Sequence, residues 1–220
     1  MQDILNQYSS LLAEVDAWFN RCSGLYPDRI ACVKGCSECC RSLFDITILD
    51  AALLKSSFAQ LPETVRSRVE RQAEERLKQI RTVWPEFSQP YTLNYRPEED
   101  WQLLMREDDE TPCLLLDDNG ECLLYDFRPM TCRLHGLPLI DVSGEVMHDE
   151  WCSNNFPGID PLLLEGLRAD FDRILRDEVA LDRLFTKELL GRVVYECDTL
   201  IPTALLIDFA DIQIRNPAGS

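Results

Sequence analysis

Imidazole is nearly missing from this chain: His135 and His148 are its two histidines in 220 residues. Metal chemistry that leans on histidine therefore has two candidates at most. Basic side chains are scarce as well, with 22 Lys and Arg against 39 Asp and Glu, giving a formal net charge of −17. Such a surface repels phosphate backbones, and no Lys/Arg cluster makes a local patch, so no nucleic-acid partner is expected. No run approaches the ~20 continuous apolar residues that a membrane helix needs, so no membrane partner is expected either. The opening MQDILNQYSSLLAEVDAWF lacks the basic stretch and short apolar run of a secretory signal, from which a cytoplasmic location is expected. GxGxxG, Walker, GxSxG and HExxH motifs are all missing. No catalytic residue is named, and enzymatic activity stays open.

Cysteine, by contrast, is abundant. Ten occur, and CVKGCSECC at 32–40 carries four in nine positions. Disulfides are the first explanation to weigh. In a reducing compartment thiols stay reduced, and the adjacent Cys39 and Cys40 could pair only through strained geometry. Metal binding or redox chemistry becomes the leading class.

The fold class expected is mainly α, with helices flanking a cysteine-rich metal-binding core that holds one or two small β-hairpins. Ile4, Leu5, Tyr8, Leu11, Leu12, Val15, Trp18 and Phe19 step at helical spacing. A second helix is expected from Thr47 or Asp50 through ALLKSSF. A third should start at Pro62, with Val65, Val69, Leu77 and Ile80 on one face, and end before WPEF. A short helix EEDWQLLM follows Pro97. CLLLDDNGECLLY reads as a hairpin around Asn119-Gly120, and LPLIDVSGEVMH as another around Ser143-Gly144. Between them, RPMTCRLHG suggests a short helix from Pro129 to near Gly136. From Asp160 through LLGRVV the pattern is helical again. One domain over 1–220 is expected, with its cysteine-rich core at about 30–155 and a helical part at 160–214. The acidic runs Glu98-Glu99-Asp100 and Glu107-Asp108-Asp109-Glu110 read as solvated segments, since no EF-hand glycine spacing accompanies them.

Eight cysteines form a connected pattern: Cys32, Cys36, Cys39, Cys40, Cys113, Cys122, Cys132 and Cys152. Cys22, at the end of the first helix, and Cys197, deep in the last helical segment, read as buried small hydrophobes. On a helical wheel at about 100° per residue the first four cysteines share one face. If Gly35 opens the segment into a turn, the thiols curl round a centre instead. The remaining ligands must then come from the first hairpin, the RPMTC turn and the WCSNN loop. Thiolates on a divalent ion leave surplus negative charge, which Lys34, Arg41, Arg128 and Arg133 could offset. His135, three residues after Cys132, is within reach of ligation, though capping or packing is its expected role; His148 has a weaker claim.

CVKGCSECC, PCLLLDDNGECLLYDFRPMTCR and Cys152 together resemble the YkgJ-type family, over roughly residues 30–155. Its eight-cysteine signature is described as zinc- or iron-chelating. The resemblance implies chelating positions at the eight cysteines named, and it places Tyr125, Arg128, Pro129 and Arg133 on the family's Y-x-x-RP-x-x-CR segment. The cofactor implied is cysteine-ligated zinc or iron, including an iron–sulfur cluster, and the partner is that ion or cluster. The spacing of Cys32, Cys36 and Cys39 is also similar to the [4Fe–4S] motif of radical S-adenosylmethionine enzymes. Glu38, however, stands where those enzymes usually carry an aromatic, and their strand–helix alternation is missing. A cysteine-rich domain similar to this one occurs in flagellin lysine methylases. Two expectations result: a structural or metal-handling protein, or a cluster-dependent redox or protein-modifying enzyme.

Overall fold

Ile4, Tyr8, Leu11, Leu12, Val15, Trp18 and Cys22 recur every three or four residues, and all are buried along one side of the first helix, α1 (Gln2–Leu25). The computed structural model describes residues 1–95, 97, 101, 103–105, 109–210 and 212. Thr47 starts α2 (Ile48–Phe58) by accepting a hydrogen bond from the Asp50 N–H. Pro62 precedes α3 (Glu63–Val83), whose Val69, Ala73, Leu77 and Ile80 are buried. A five-residue helix, α4 (Met130–Leu134), follows Pro129. The amphipathic α5 (Phe171–Leu190) ends at Gly191, whose left-handed φ of 70° suits a residue without a Cβ. The short α6 (Ile201–Ala204) closes the order.

These helices pack as a layered core. α1 lies against α4 and α5, α2 against α5 and α6, and α3 against α6. Tyr8, Phe58, Phe87, Phe171 and Phe185 are its largest fully buried side chains. Strand β1 (Asp45–Thr47) pairs antiparallel with β4 (Asp198–Leu200), tying the segment after the cysteine block to the C-terminal part. β2 (Leu139–Ile140) and β3 (Val146–His148) make the second expected hairpin, turned at Ser143-Gly144. The architecture is mainly α with small antiparallel pairs. The expected helix over 98–105 falls in part on residues outside those described, as do most of the acidic runs.

Three expectations need correction. The helix read from Asp160 starts only at Phe171; before it come 3-10 turns at Pro161–Leu163 and Glu165–Leu167. The Leu167 carbonyl accepts a hydrogen bond from the Trp18 indole at 2.7 Å, and Asp160 and Asp170 each cap a new start, so the ladder cannot run through. Cys197 is buried as expected, but it sits beyond Gly191 rather than in a helix, and its carbonyl accepts the Ile48 N–H at 2.7 Å. The first hairpin forms its turn, with Asp117 Oδ1 accepting the N–H groups of Asn119 and Glu121, yet makes one isolated bridge, Leu116 to Cys122. The Cys113 N–H, which a longer ladder would share, donates instead to the Cys40 carbonyl at 2.8 Å.

Candidate metal centre

Gly35 settles how the first four cysteines are presented. Its φ of 95° is incompatible with a helix, and residues 33–40 fold as two consecutive turns closed by Cys36 N–H to Val33 O and Cys40 N–H to Ser37 O, each 3.0 Å. The curled alternative therefore holds, not the helical ridge. The second turn is stitched to the chain entering the hairpin: Cys113 N–H donates to Cys40 O, Ser42 N–H donates to Thr111 O, and Arg41 bridges Pro112. The hairpin turn carries Cys122 back, and α4 delivers Cys132 beside it.

A cavity of about 90 Å³ results. Cys36, Cys39, Cys40, Cys113, Cys122 and Cys132 line it, with Phe44, Leu54, Leu115 and Leu124 as apolar wall. The sulfurs are close enough to sense one another. Burial first, then the neighbouring Cys122 and Cys39, push the Cys113 thiol up to about 11. Cys132 is driven up by burial and by Cys113, Cys122 and Cys39. Cys39 rises through its contact with Cys40 and through burial. At the other end, burial pushes Cys32 up to about 11, with Cys152, Cys36 and Cys39 adding to it. Mutually opposed, desolvated thiols remain protonated on their own; a soft cation reverses that preference by exchanging proton for metal. None of the ten cysteines is disulfide-bonded, and Cys22 and Cys197 lie buried apart from the cavity lining.

The donor chemistry fits a thiophilic ion, since among the described residues the cavity wall offers thiols and no carboxylate. As they stand, no three His, Cys, Asp or Glu side chains among the described residues are arranged to hold a metal ion.

The four expected cations separate into different roles. Arg128 lines the cavity, and its charge works against the upward push that the Cys40 contact and burial give Cys39 and that burial gives Cys122. It stacks 3.7 Å from the Tyr125 ring centroid and pairs with Asp16 at 3.4 Å. Lys34 approaches the same ring at 5.0 Å. Arg133 faces inward: 4% exposed, it bonds Asp16, the Arg128 carbonyl at 2.8 Å and the Asp126 carbonyl at 2.7 Å. Arg41 pairs with Glu110 at 3.5 Å on the surface. His135 packs edge-on against Phe44 at 5.9 Å and lines the cavity, and its backbone N–H closes α4. His148 is exposed on β3.

Two residues at this centre gave no signal in the sequence. Asp16 sits on α1 among solvated acids, and only the fold shows that it joins both arginines of the RPMTCR segment. Asn155 reads as an ordinary loop asparagine, yet it is 2% exposed and donates to the Cys32 sulfur at 3.3 Å.

A family model named CxxCxxCC and described as "Putative zinc- or iron-chelating domain" matches residues 31–153. No curated protein and no solved structure matches the chain.

Proposed function

The chain belongs to the CxxCxxCC family of zinc- or iron-chelating domains, and from that premise we propose that it binds zinc or iron through Cys32, Cys36, Cys39, Cys40, Cys113, Cys122, Cys132 and Cys152. The observation that carries this reading is one cavity lined by six of these cysteines, drawn from three separated segments. The thiols fall into two neighbouring sets. Cys32, Cys36 and Cys152 form one end; Cys113, Cys122 and Cys132 form the other, and Cys39 stands between them, sensed by both. Cys40 completes the second set. Closing on an ion asks the turn-borne thiols to rotate about χ1. The bound metal supplies cross-links that hold the turn, the hairpin and α4 together, so binding free energy becomes folding free energy. Arg128 offsets part of the thiolate charge. One domain in a reducing compartment such as the cytoplasm completes the reading.

Anaerobic purification with elemental analysis and a visible spectrum of the same sample tests it. Zinc or iron is expected in stoichiometric amount, lost in Cys113→Ser and Cys132→Ser and retained in Cys22→Ser and Cys197→Ser. Protein that is folded and free of both metals overturns the assignment.

A second reading, a cluster-dependent redox or protein-modifying enzyme, draws support from two surface clefts at the centre's edge. One, of about 560 Å³, reaches Cys113 between Gln72, Arg76 and Ser37. The other, about 570 Å³, reaches Cys39 and His135. Either would give a substrate access to an exposed edge of an iron–sulfur centre. A colourless protein holding only four-coordinate zinc rules it out.

A further inference from the structure

Cys32 lies at the edge of the cysteine constellation, outside the six-thiol cavity lining, and its surroundings are built differently. Asn155, almost completely buried, spends both amide donors and its amide acceptor on this corner. Its Oδ1 accepts the Ala31 N–H at 2.8 Å. Its Nδ2 donates to the Gly136 carbonyl at 2.6 Å and to Cys32 Sγ at 3.3 Å. Its own backbone N–H donates to the Cys152 carbonyl at 2.8 Å, and the Cys152 N–H donates to Gly136 O at 3.2 Å. Asn155 thus joins the segment entering Cys32, the turn after α4 and the loop carrying Cys152. Gly136 makes room for the sulfur: at its φ of 102°, an added Cβ would stand 3.1 Å from Cys32 Sγ.

An amide N–H aimed at the Cys32 sulfur suits a sulfur that carries negative charge. We propose that Asn155 is the positioning residue of the Cys32/Cys152 end of the metal centre. It orients the Cys32 thiolate for ligation and holds Cys152 at the matching height, and Gly136 is the backbone that permits the approach. This inference rests on the metal-binding reading above and goes beyond it by assigning an outer partner to one ligand set. Such partners typically govern metal affinity by 10–100-fold.

The test uses cobalt(II) as the probe ion, with the sulfur-to-cobalt charge-transfer absorption as readout, on wild type, Asn155→Asp and Asn155→Ala. The aspartate keeps the acceptor for Ala31 and removes both donor hydrogens. In parallel, metal-loaded samples are alkylated and each cysteine is scored by peptide mass. The expected result is affinity about tenfold or more weaker in both variants. Cys32 and Cys152 should become alkylated while Cys113, Cys122 and Cys132 stay protected and helical circular dichroism is unchanged. Wild-type cobalt affinity and wild-type protection of Cys32 in both variants would overturn the inference alone. So would a loss of helix or of protection at all sites together in both, because Asn155 would then be a fold residue. Wild-type protein that takes up no cobalt overturns this inference and the metal-binding reading together.

Discussion

Tyr8 places one hydroxyl between two carboxyl groups, 2.7 Å from Asp50 Oδ1 and 3.2 Å from Glu178 Oε1. A phenol has one proton to give, so the second contact is a hydrogen bond only if one of the acids keeps its own proton. Burial, then the charge of Asp50, push Glu178 up to about 8. Asp182 and Asp198 rise to about 7 beside it, both chiefly through burial. Asp50 rises less, to about 6, because Tyr8, the Met130 N–H and Thr47 all donate to it. It is therefore the acid that ionises first, and Glu178 is the carboxylic acid.

Stability should consequently fall as pH rises. An acid whose pKa is raised by folding contributes fully below its unfolded value, near 4.3, and loses that contribution as pH climbs through its folded value. For Glu178 the window runs from about pH 4 to about 8, at up to roughly 1.4 kcal/mol per pH unit. Melting curves of wild type and Glu178→Gln between pH 5 and 8.5 should diverge, the variant becoming relatively more stable toward high pH. A difference that does not change with pH contradicts the assignment.

Removing the metal should loosen the molecule unevenly. The turns at 33–40, the hairpin turn and the loop after Cys152 are held by isolated backbone hydrogen bonds, whereas α1 and α3 have continuous ladders and buried faces. After chelation, amide hydrogen exchange should quicken in 32–42, 111–123 and 150–156. The interiors of α1 and α3 should keep their protection. Uniform acceleration would mean that the metal holds up the whole core; none at all would mean that it holds nothing.

What the sequence disclosed follows from the range of the forces involved. Helix faces such as Ile4–Trp18 and starts such as Thr47 and Pro62 are local, written in spacing and capping chemistry, and they appear where periodicity puts them. The β1–β4 pair is not local: Asp45 meets Leu200 because α2, α5 and α6 fold together, and no short pattern encodes that. The run from Asp160 misleads because its apolar spacing is helical while Trp18, 149 residues away, claims the carbonyl that a helix would need. The cysteines were legible as a set because thiols at such density demand an explanation. Asn155 and Asp16 were not, because their partners come from distant segments.

Gly166 marks a close contact of this kind. An added Cβ there would fall 2.5 Å from the Tyr26 hydroxyl, and Tyr26 in turn stacks edge-on against Phe156, the neighbour of Asn155. Gly166→Ala should destabilise by about 1–3 kcal/mol. Adding Tyr26→Phe, which removes the nearest atom, should recover part of the loss in thermal melting. If the double variant is no better than the single one, the clash is not the cause.

Arg128 and Arg133 flank the same cysteine, share Asp16, and should nevertheless fail differently. Arg133 is a staple: its guanidinium spans two carbonyls and a carboxylate while almost fully buried. Arg133→Gln should cost on the order of 2–4 kcal/mol of stability, chiefly through the two backbone carbonyls left unpaired in a buried site. Arg128 lies over Tyr125 with its charge turned toward Cys39 and Cys122, so Arg128→Gln should leave melting less affected and weaken metal binding several-fold. That loss should shrink in high salt, since a partly exposed charge is screened. Chelator competition at low and high ionic strength, run beside thermal melts of both variants, separates the two. Equal loss of stability with unchanged metal affinity in both would show that neither guanidinium serves the thiolates.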